Sequence, residues 1–324
     1  MQTRLTEFFA IRHPIVLAPM GGVAGGALAA AVARAGGLGF IGCGYGDPRA
    51  GYGSREWITA QFDAAGNEVV GAGFITWSLA RFPDLLDVVL QRGADPIFLS
   101  FGDPEPFIPK IRQAGRKLVL QVSSLAEARQ ARALGADVIV AQGTEAGGHG
   151  STGRTLFTLL PAVVDAVAPV PVLAAGGISD GRGLAAALML GADGVLLGTR
   201  LFATAEALGS PAAKQRIVEA DGDDTLRTRA FDIVRGLDWP AQYTGRAIAN
   251  AFSRAWHGRE AELSEQTVQE GPRYEAARQA GDLDVTVLFA GEGVDLIHDC
   301  PPAADVVNRI VSEAEALLAS RSRS

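Results

Sequence analysis

Short apolar segments recur along the first two thirds of the chain, and a helical pattern follows each of them. Strands that are apolar throughout are buried on both faces, as in a parallel sheet covered by helices. Eight such units predict a closed (β/α)₈ barrel, with an open doubly wound sheet as the alternative. The predicted strands are 15–20, 38–43, 69–77, 96–101, 118–122, 138–142, 172–175 and 194–199.

The alternation stops after the eighth strand. Helical patterns at 210–220, 239–254 and 263–280 alternate there with polar joints, and an amphipathic helix is predicted at 305–319. We therefore predict a TIM barrel built from residues 1–204 and 303–324, with helix 305–319 as its eighth helix. Residues 205–302 are predicted to form a mostly helical insertion near the barrel mouth.

Composition narrows the class of protein. Hydrophobic residues make up 48% of the 324 residues, charged residues make up 20%, and the net charge is −7. This profile is typical of a tightly wound α/β enzyme, and without a basic block it argues against nucleic acid as a partner. The two cysteines, Cys43 and Cys300, lack metal-ligand spacing and indicate a reducing compartment.

Targeting signals are not apparent in the pattern. The first seven residues are polar, and the apolar stretches are strand-sized or broken by glycine and charge. We therefore expect a cytoplasmic protein without a membrane span. The sequence leaves oligomerisation open.

The segment after the sixth predicted strand concentrates glycine around one histidine. Four glycines and His149 lie between Gly143 and Gly150. Glycine lets the backbone approach a ligand closely, and a histidine can act as a general base near neutral pH. The alternative is a flexible loop that carries a surface histidine.

Two further glycine motifs follow the seventh and eighth predicted strands. They are Gly176-Gly177 and Gly198-Thr199, and the first precedes a helix. Exposed backbone N–H groups at these barrel positions form an anion cradle suited to a phosphate. No Walker or Rossmann motif is visible, so a phosphorylated cofactor such as FMN and a sugar phosphate both remain possible ligands.

These segments resemble the nitronate monooxygenase family, formerly called 2-nitropropane dioxygenases, whose members are FMN-dependent barrel enzymes. Four blocks carry the resemblance: 14–20, 141–150, 171–178 and 191–202. It implies oxidation of nitronates or nitroalkanes by O₂ to a carbonyl compound and nitrite. His149 would be the catalytic base, or would position a nitronate that is already ionised.

The resemblance also implies which residues bind FMN. Met20 would lie beside the flavin ring, and Gln121 would supply a polar group near it. The remaining implied contacts are Gln142, Ala146, Gly147, Gly176, Gly177, Gly198 and Thr199.

One position departs from the family pattern. Many members carry an asparagine that contacts FMN on the third strand, where this chain has Gly73. We expect Gly73 to remove a side-chain hydrogen bond and to leave room for water or a larger substrate.

Other residues and other activities stay open. Asp103 and Glu145 are candidates to orient His149 or bind substrate, and Glu145 could equally hold the glycine loop. Trp239 and Tyr243 could line the pocket from above. The competing functions are an NAD(P)H-dependent enoyl-[acyl carrier protein] reductase, a quinone reductase and a non-catalytic FMN-binding protein.

Overall fold

The computed structural model describes residues 1–46 and 51–321, so residues 47–50 and 322–324 of the predicted barrel segments lie outside the described residues. The described part has eleven strands: β1 (Ile15–Leu17), β2 (Phe40–Gly42), β3 (Gly71–Ile75), β4 (Ile97–Ser100), β5 (Leu118–Val122), β6 (Val138–Gln142), β7 (Gly148–Gly150), β8 (Val172–Ala175), β9 (Gly194–Leu197), β10 (Thr225–Thr228) and β11 (Thr244–Ile248).

Helices cover most of the remaining described chain. The α-helices are α1 (Arg4–Phe9), α2 (Gly26–Arg34), α3 (Arg55–Ala65), α4 (Thr76–Leu79), α5 (Asp84–Gln91), α6 (Ile108–Gln113), α7 (Leu125–Ala133), α8 (Leu156–Val167), α9 (Gly181–Met189), α10 (Thr199–Phe202), α11 (Pro211–Val218), α12 (Ala230–Val234), α13 (Ala251–Trp256), α14 (Glu260–Glu265), α15 (Thr267–Ala280) and α16 (Ala303–Arg321). Short 3₁₀ helices lie at Glu105–Phe107, Gly222–Asp224 and Glu292–Leu296.

Eight parallel strands form the barrel, in the order β1-β9-β8-β6-β5-β4-β3-β2. A parallel bridge between Val16 and Leu38 joins the two ends of this sheet, and the amide of Leu17 donates to the carbonyl of Leu38 at 2.9 Å. The predicted TIM barrel is thereby confirmed, and each of its strands overlaps a predicted apolar segment.

Apolar side chains fill two layers of the barrel. Phe40, Phe98 and Val138 belong to the interior cluster, and Leu5 of α1 closes the bottom of that cluster. A larger cluster lies between the strands and the surrounding helices. Because alternate residues of each strand enter different layers, both faces of the sheet are buried.

The C-terminal helix completes the ring of helices. α16 packs against α9 and α2, the helices that follow the seventh and first barrel strands. α16 includes the helix predicted at 305–319. Among the described residues, no helix combines the length and the apolar character needed to cross a membrane.

The segment between the last barrel strand and α16 differs from its prediction in one respect. The sequence pattern predicts a helix at 239–254, and this prediction is wrong for residues 239–250. Residues 244–248 form β11, and only residues 251–254 of the predicted range are helical, within α13. β11 pairs antiparallel with β10 and with β7, so a three-stranded sheet joins the segment to the glycine loop. Phe231, Phe252 and Tyr274 pack in a separate small core under this sheet.

Candidate functional site

The glycine loop after β6 is held in a strand rather than free at the surface. His149 lies in β7, directly opposite Gly245 of β11, and its side chain is buried. This antiparallel pairing with β11 fixes the backbone of His149. A surface histidine on a flexible loop would have no such pairing and would be mobile.

Two arginines from the insertion hold this loop by its carbonyl groups. Arg227 donates to the carbonyls of Thr144 at 3.1 Å and Ala146 at 3.0 Å, and Arg246 donates to Thr144 at 3.2 Å. Arg246 also pairs with Glu292 at 2.6 Å. Burial and the neighbouring Arg246 lower the pKa of Arg227 to about 10, so its guanidinium remains charged at neutral pH.

A buried carboxylate determines the orientation of the histidine. Nε2 of His149 lies 2.9 Å from both oxygens of Asp232, and both side chains are almost inaccessible to solvent. Asp232 comes from α12 of the insertion. A carboxylate acceptor assigns the imidazole proton to Nε2, which leaves Nδ1 as the basic nitrogen.

The same burial controls the charge of the histidine. Desolvation lowers the pKa of His149 below its ordinary value, while the negative charge of Asp232 acts in the opposite direction. Among residues 1–46 and 51–321, no protein group hydrogen-bonds Nδ1. The arrangement therefore favours a neutral imidazole whose Nδ1 can accept a proton.

Aromatic rings cover the histidine. The indole of Trp239 stacks on the imidazole with a centroid distance of 3.5 Å and an interplanar angle of 5°. Trp239 also meets Phe101 edge-on at 5.2 Å, and its Nε1 donates to the hydroxyl of Tyr45 at 3.0 Å. Trp239 thus lies over His149, whereas Tyr243 packs on Phe101 at 5.1 Å and lines the cavity described below.

A cavity of about 410 Å³ opens beside this aromatic group, at the carboxyl ends of β3 to β6. Gln121 and Gln142 line it, and the amide of Gln121 donates to Gln142 at 3.2 Å. The other amide donor, Nε2 of Gln142, bonds the carbonyl of His149 at 3.1 Å. The two glutamines therefore connect the cavity wall to the backbone of the histidine, although His149 itself does not line the cavity.

The predicted anion cradle lies at the ends of β8 and β9. Gly176 and Gly177 have φ values of +114° and +68°, a left-handed conformation that favours glycine. Within the described residues, their amides donate to no protein acceptor. Nearby, the hydroxyl of Thr199 accepts from the amide of Gly291 at 3.0 Å.

A second cavity, of about 320 Å³, adjoins Gly176 and Gly177 on the side of α8 and α9. Glu145 and Glu292 also line it, but both carboxylates are engaged. Glu145 accepts from the amide of Leu156 at 2.8 Å, and Glu292 pairs with Arg246. The described residues contain no group of three or more histidine, cysteine or acidic side chains that could hold a metal ion.

This geometry can be compared with known proteins. The family model described as nitronate monooxygenase matches residues 2–52 and 54–313. The chain belongs to the nitronate monooxygenase family. Membership makes it an oxidoreductase and indicates a flavin cofactor and a small-molecule substrate.

Two curated relatives are equally similar to this chain and are named for different activities. A nitronate monooxygenase of Neurospora crassa is 32% identical in an alignment that covers 97% of this chain and 92% of the relative. A (3aS,4S,5R,7aS)-5-hydroxy-7a-methyl-1-oxo-octahydro-1H-indene-4-carboxyl-CoA dehydrogenase of Mycobacterium tuberculosis is also 32% identical, over 97% of this chain and 96% of the relative.

Solved structures agree on the fold. FabK from Thermotoga maritima has a TM-score of 0.84 and 30% identity, with 99% of both chains covered. A nitroalkane oxidase from Streptomyces ansochromogenes has a TM-score of 0.81 and 30% identity, covering 98% of this chain and 99% of the other. Together with the family model, the second likeness supports oxidation of nitronates or nitroalkanes in general terms.

The mouth of this nitronate monooxygenase family member fits a flavin. Its larger cavity lies within the volume range of small-molecule sites. Amide side chains line one wall. At the neighbouring strand end, the amides of Gly176 and Gly177, which have no acceptor among the described residues, could bind an anion.

The expectation that Gly73 leaves free space is wrong. A Cβ built on Gly73 would lie 2.2 Å from Cβ and 2.4 Å from Cγ of Pro19, so the proline ring already fills that space. Pro19 precedes Met20, whose sulfur lies 3.6 Å from the position a Cβ would take on Gly198. Glycine at position 73 therefore admits the β1 loop, and Met20 with it, to the barrel mouth.

The two acids considered as partners of His149 make other hydrogen bonds, and Glu145 takes the loop-holding role that the sequence left open. Asp103 caps an exposed turn by accepting from the amide of Glu105 at 3.0 Å. Glu145 accepts from the first amide of α8, so it holds the glycine loop and does not contact the imidazole. Sequence reasoning missed Asp232, although a single acid within the apolar stretch 230–234 was a usable signal.

Proposed function

We propose that the protein is an FMN-dependent nitronate monooxygenase that oxidises alkyl nitronates or nitroalkanes with O₂ to a carbonyl compound and nitrite. The pairing of His149 with Asp232 is the observation that carries this proposal. A neutral imidazole with its proton on Nε2 can take the α-proton of a nitroalkane at Nδ1. With a substrate that is already a nitronate, the same nitrogen positions the anion.

FMN would be held by the residues at the strand ends. The amides of Gly176, Gly177 and Gly198, with Thr199, would bind the phosphate, because unpaired N–H groups near a helix N-terminus favour an anion. The flavin ring would lie against Met20, Gln121, Gln142, Ala146 and Gly147. When bound, FMN would supply the electron acceptor for the nitronate and the route of electrons to O₂.

Dehydrogenase or reductase chemistry on the same scaffold is the second candidate. The equal identity to the CoA-linked dehydrogenase of Mycobacterium tuberculosis favours it. In that case NAD(P)H or a CoA-linked substrate, rather than a nitronate, would exchange electrons with the flavin.

Anaerobic mixing of the FMN-loaded protein distinguishes the two candidates. Propionate 3-nitronate or a simple alkyl nitronate goes into one cuvette and NADH into another, while flavin absorbance is followed. We expect the flavin spectrum to change with the nitronate alone, and a change with NADH alone would move the assignment to a reductase. His149→Ala should still bind FMN but turn over neutral nitroalkanes roughly 10²-fold more slowly, as for a lost general base.

A further inference from the structure

One buried hydroxyl at the barrel mouth lacks a partner. Thr76 is 1% exposed, and its Oγ1 has no hydrogen-bond partner. Two neighbouring buried hydroxyls are paired, since Ser78 donates to the carbonyl of Tyr45 at 2.7 Å and Ser100 to that of Phe74 at 3.3 Å. In the described part of the chain, Thr76 is the only buried serine or threonine whose hydroxyl is unpaired.

The location of this hydroxyl suggests what could pair with it. Thr76 lines the cavity of about 410 Å³ together with Gln121 and Gln142. An unpaired buried hydroxyl opposes folding unless a ligand or water satisfies it. These three side chains come from the ends of β3, β5 and β6, so they lie along one wall of the cavity.

The backbone beside Thr76 is strained in a way that fixes its position. Phe101 has a φ of +62°, which is unfavourable for an aromatic residue, and its carbonyl accepts from the amide of Trp77 at 3.1 Å. Such strain is usual where a site must hold a group in place. Here the bond fixes the first turn of α4, in which Thr76 is the first residue.

We propose that Thr76 Oγ1 hydrogen-bonds the polar edge of the flavin ring from the end of β3, where Gly73 carries no side chain. That edge has two carbonyl oxygens and an N–H, and a hydroxyl can donate to the former or accept from the latter. Gly73 and Thr76 belong to the same strand end, and Pro19 fills the space beside Gly73. The proposal rests on the FMN binding proposed above, but it is independent of nitronate chemistry.

Titration of the apoprotein with FMN, followed by flavin fluorescence, tests the proposal. Thr76→Val removes the hydroxyl and keeps the side-chain shape, so it should raise the Kd for FMN about 3- to 10-fold, the value of one neutral hydrogen bond. Thr76→Ser should bind like the wild type, and Thr76→Ala should weaken binding as Thr76→Val does. The apoprotein of Thr76→Val should unfold at or above the wild-type temperature, because an unpaired polar group is removed.

Thr286→Val is the matched control. Its hydroxyl is paired with the carbonyl of Asp282 at 2.6 Å, and Thr286 does not line the mouth cavity, so this variant should lower the unfolding temperature and leave the Kd for FMN unchanged.

An unchanged Kd in both Thr76→Val and Thr76→Ala would overturn the proposal. A rise in the KM for nitronate with an unchanged Kd for FMN would also overturn it, because the hydroxyl would then contact substrate. A wild-type protein that binds no FMN would refute this inference and the proposed function together. Tight FMN binding without nitronate turnover would refute only the proposed function.

Discussion

At the scale of single residues, the charge of His149 decides what the site can do. Burial lowers the pKa of His149, and Asp232 opposes that effect while it holds the Nε2 proton. A general base must be unprotonated, so catalysis should persist below the ordinary histidine pKa of about 6.5 and fail in more acidic solution.

Asp232→Asn should change both the rate and its pH dependence. Removing the carboxylate removes the one large influence that raises the pKa of His149, so the acidic limb of kcat/KM should move to lower pH. Loss of the orienting acceptor should reduce kcat/KM for a neutral nitroalkane by roughly 10- to 10²-fold at pH 7–8. Steady-state kinetics between pH 5 and about 8 would measure both effects.

Asp238→Asn is the control for this variant. Asp238 is an exposed acid six residues away that pairs with Arg81 at the surface. Its loss should change neither kcat/KM at pH 7–8 nor the position of the acidic limb. A lower rate with an unmoved acidic limb would contradict the assigned role of Asp232 and indicate a structural defect.

At the scale of elements, the insertion holds the glycine loop in position. Arg227 and Arg246 bond loop carbonyls, and β11 pairs with β7. Loops are usually mobile because few contacts oppose their motion. This loop instead receives buried, charge-assisted hydrogen bonds, which are stronger than neutral ones.

Arg227→Met should loosen the loop. Several buried carbonyls would lose their donor, at a cost of about 1–3 kcal/mol in the free energy of unfolding. Hydrogen exchange measured by mass spectrometry should show reduced protection at residues 143–150. Arg254→Met removes an exposed pair with Asp224 and should cost less than about 0.5 kcal/mol. Equal protection of the loop in wild type and Arg227→Met would exclude the holding role.

The pairing of β11 with β7 also explains why the predicted helix is wrong at residues 244–248. The alanines and arginines around β11 favour a helix locally, whereas the partner strand β7 lies nearly one hundred residues earlier in the sequence. Strand propensity depends on such tertiary partners more than helix propensity does. Local periodicity therefore could not predict β11, because this strand depends on its pairing with the distant strand β7.

At the scale of the whole molecule, Trp239 joins the insertion to several strands of the barrel. Its ring contacts His149 of β7, Phe101 after β4 and Trp77 of α4, and its Nε1 bonds Tyr45 after β2. Because the side chain is 3% exposed, most of its apolar surface is buried between the two parts.

Trp239→Ala should therefore weaken the junction of insertion and barrel. We expect a loss of about 3–5 kcal/mol in the free energy of unfolding, typical of a buried aromatic cut to alanine. Urea unfolding would measure this loss, and hydrogen exchange should rise in residues 225–256 before it rises in β5 and β6. Trp256→Ala, within the insertion and partly exposed, should cost less. A smaller loss for Trp239→Ala than for Trp256→Ala would show that Trp239 does not join the two parts.

The sequence by itself determined the barrel and the region of the site. Each strand is a local apolar run, and the ends of parallel strands meet at one mouth, so Gln142, Gly176 and Thr199 had to approach one another. Periodicity is a property of neighbouring residues, which is why it predicted these features.

Only the tertiary structure decided the partners of the site. Asp232 reaches His149, Pro19 fills the space beside Gly73, and Trp239 covers the imidazole, and each pair is far apart in the sequence. Burial and packing between distant segments set the charge of the histidine and the free volume at the mouth. Neither quantity is encoded in local spacing, because both depend on which side chains the closed fold brings into contact.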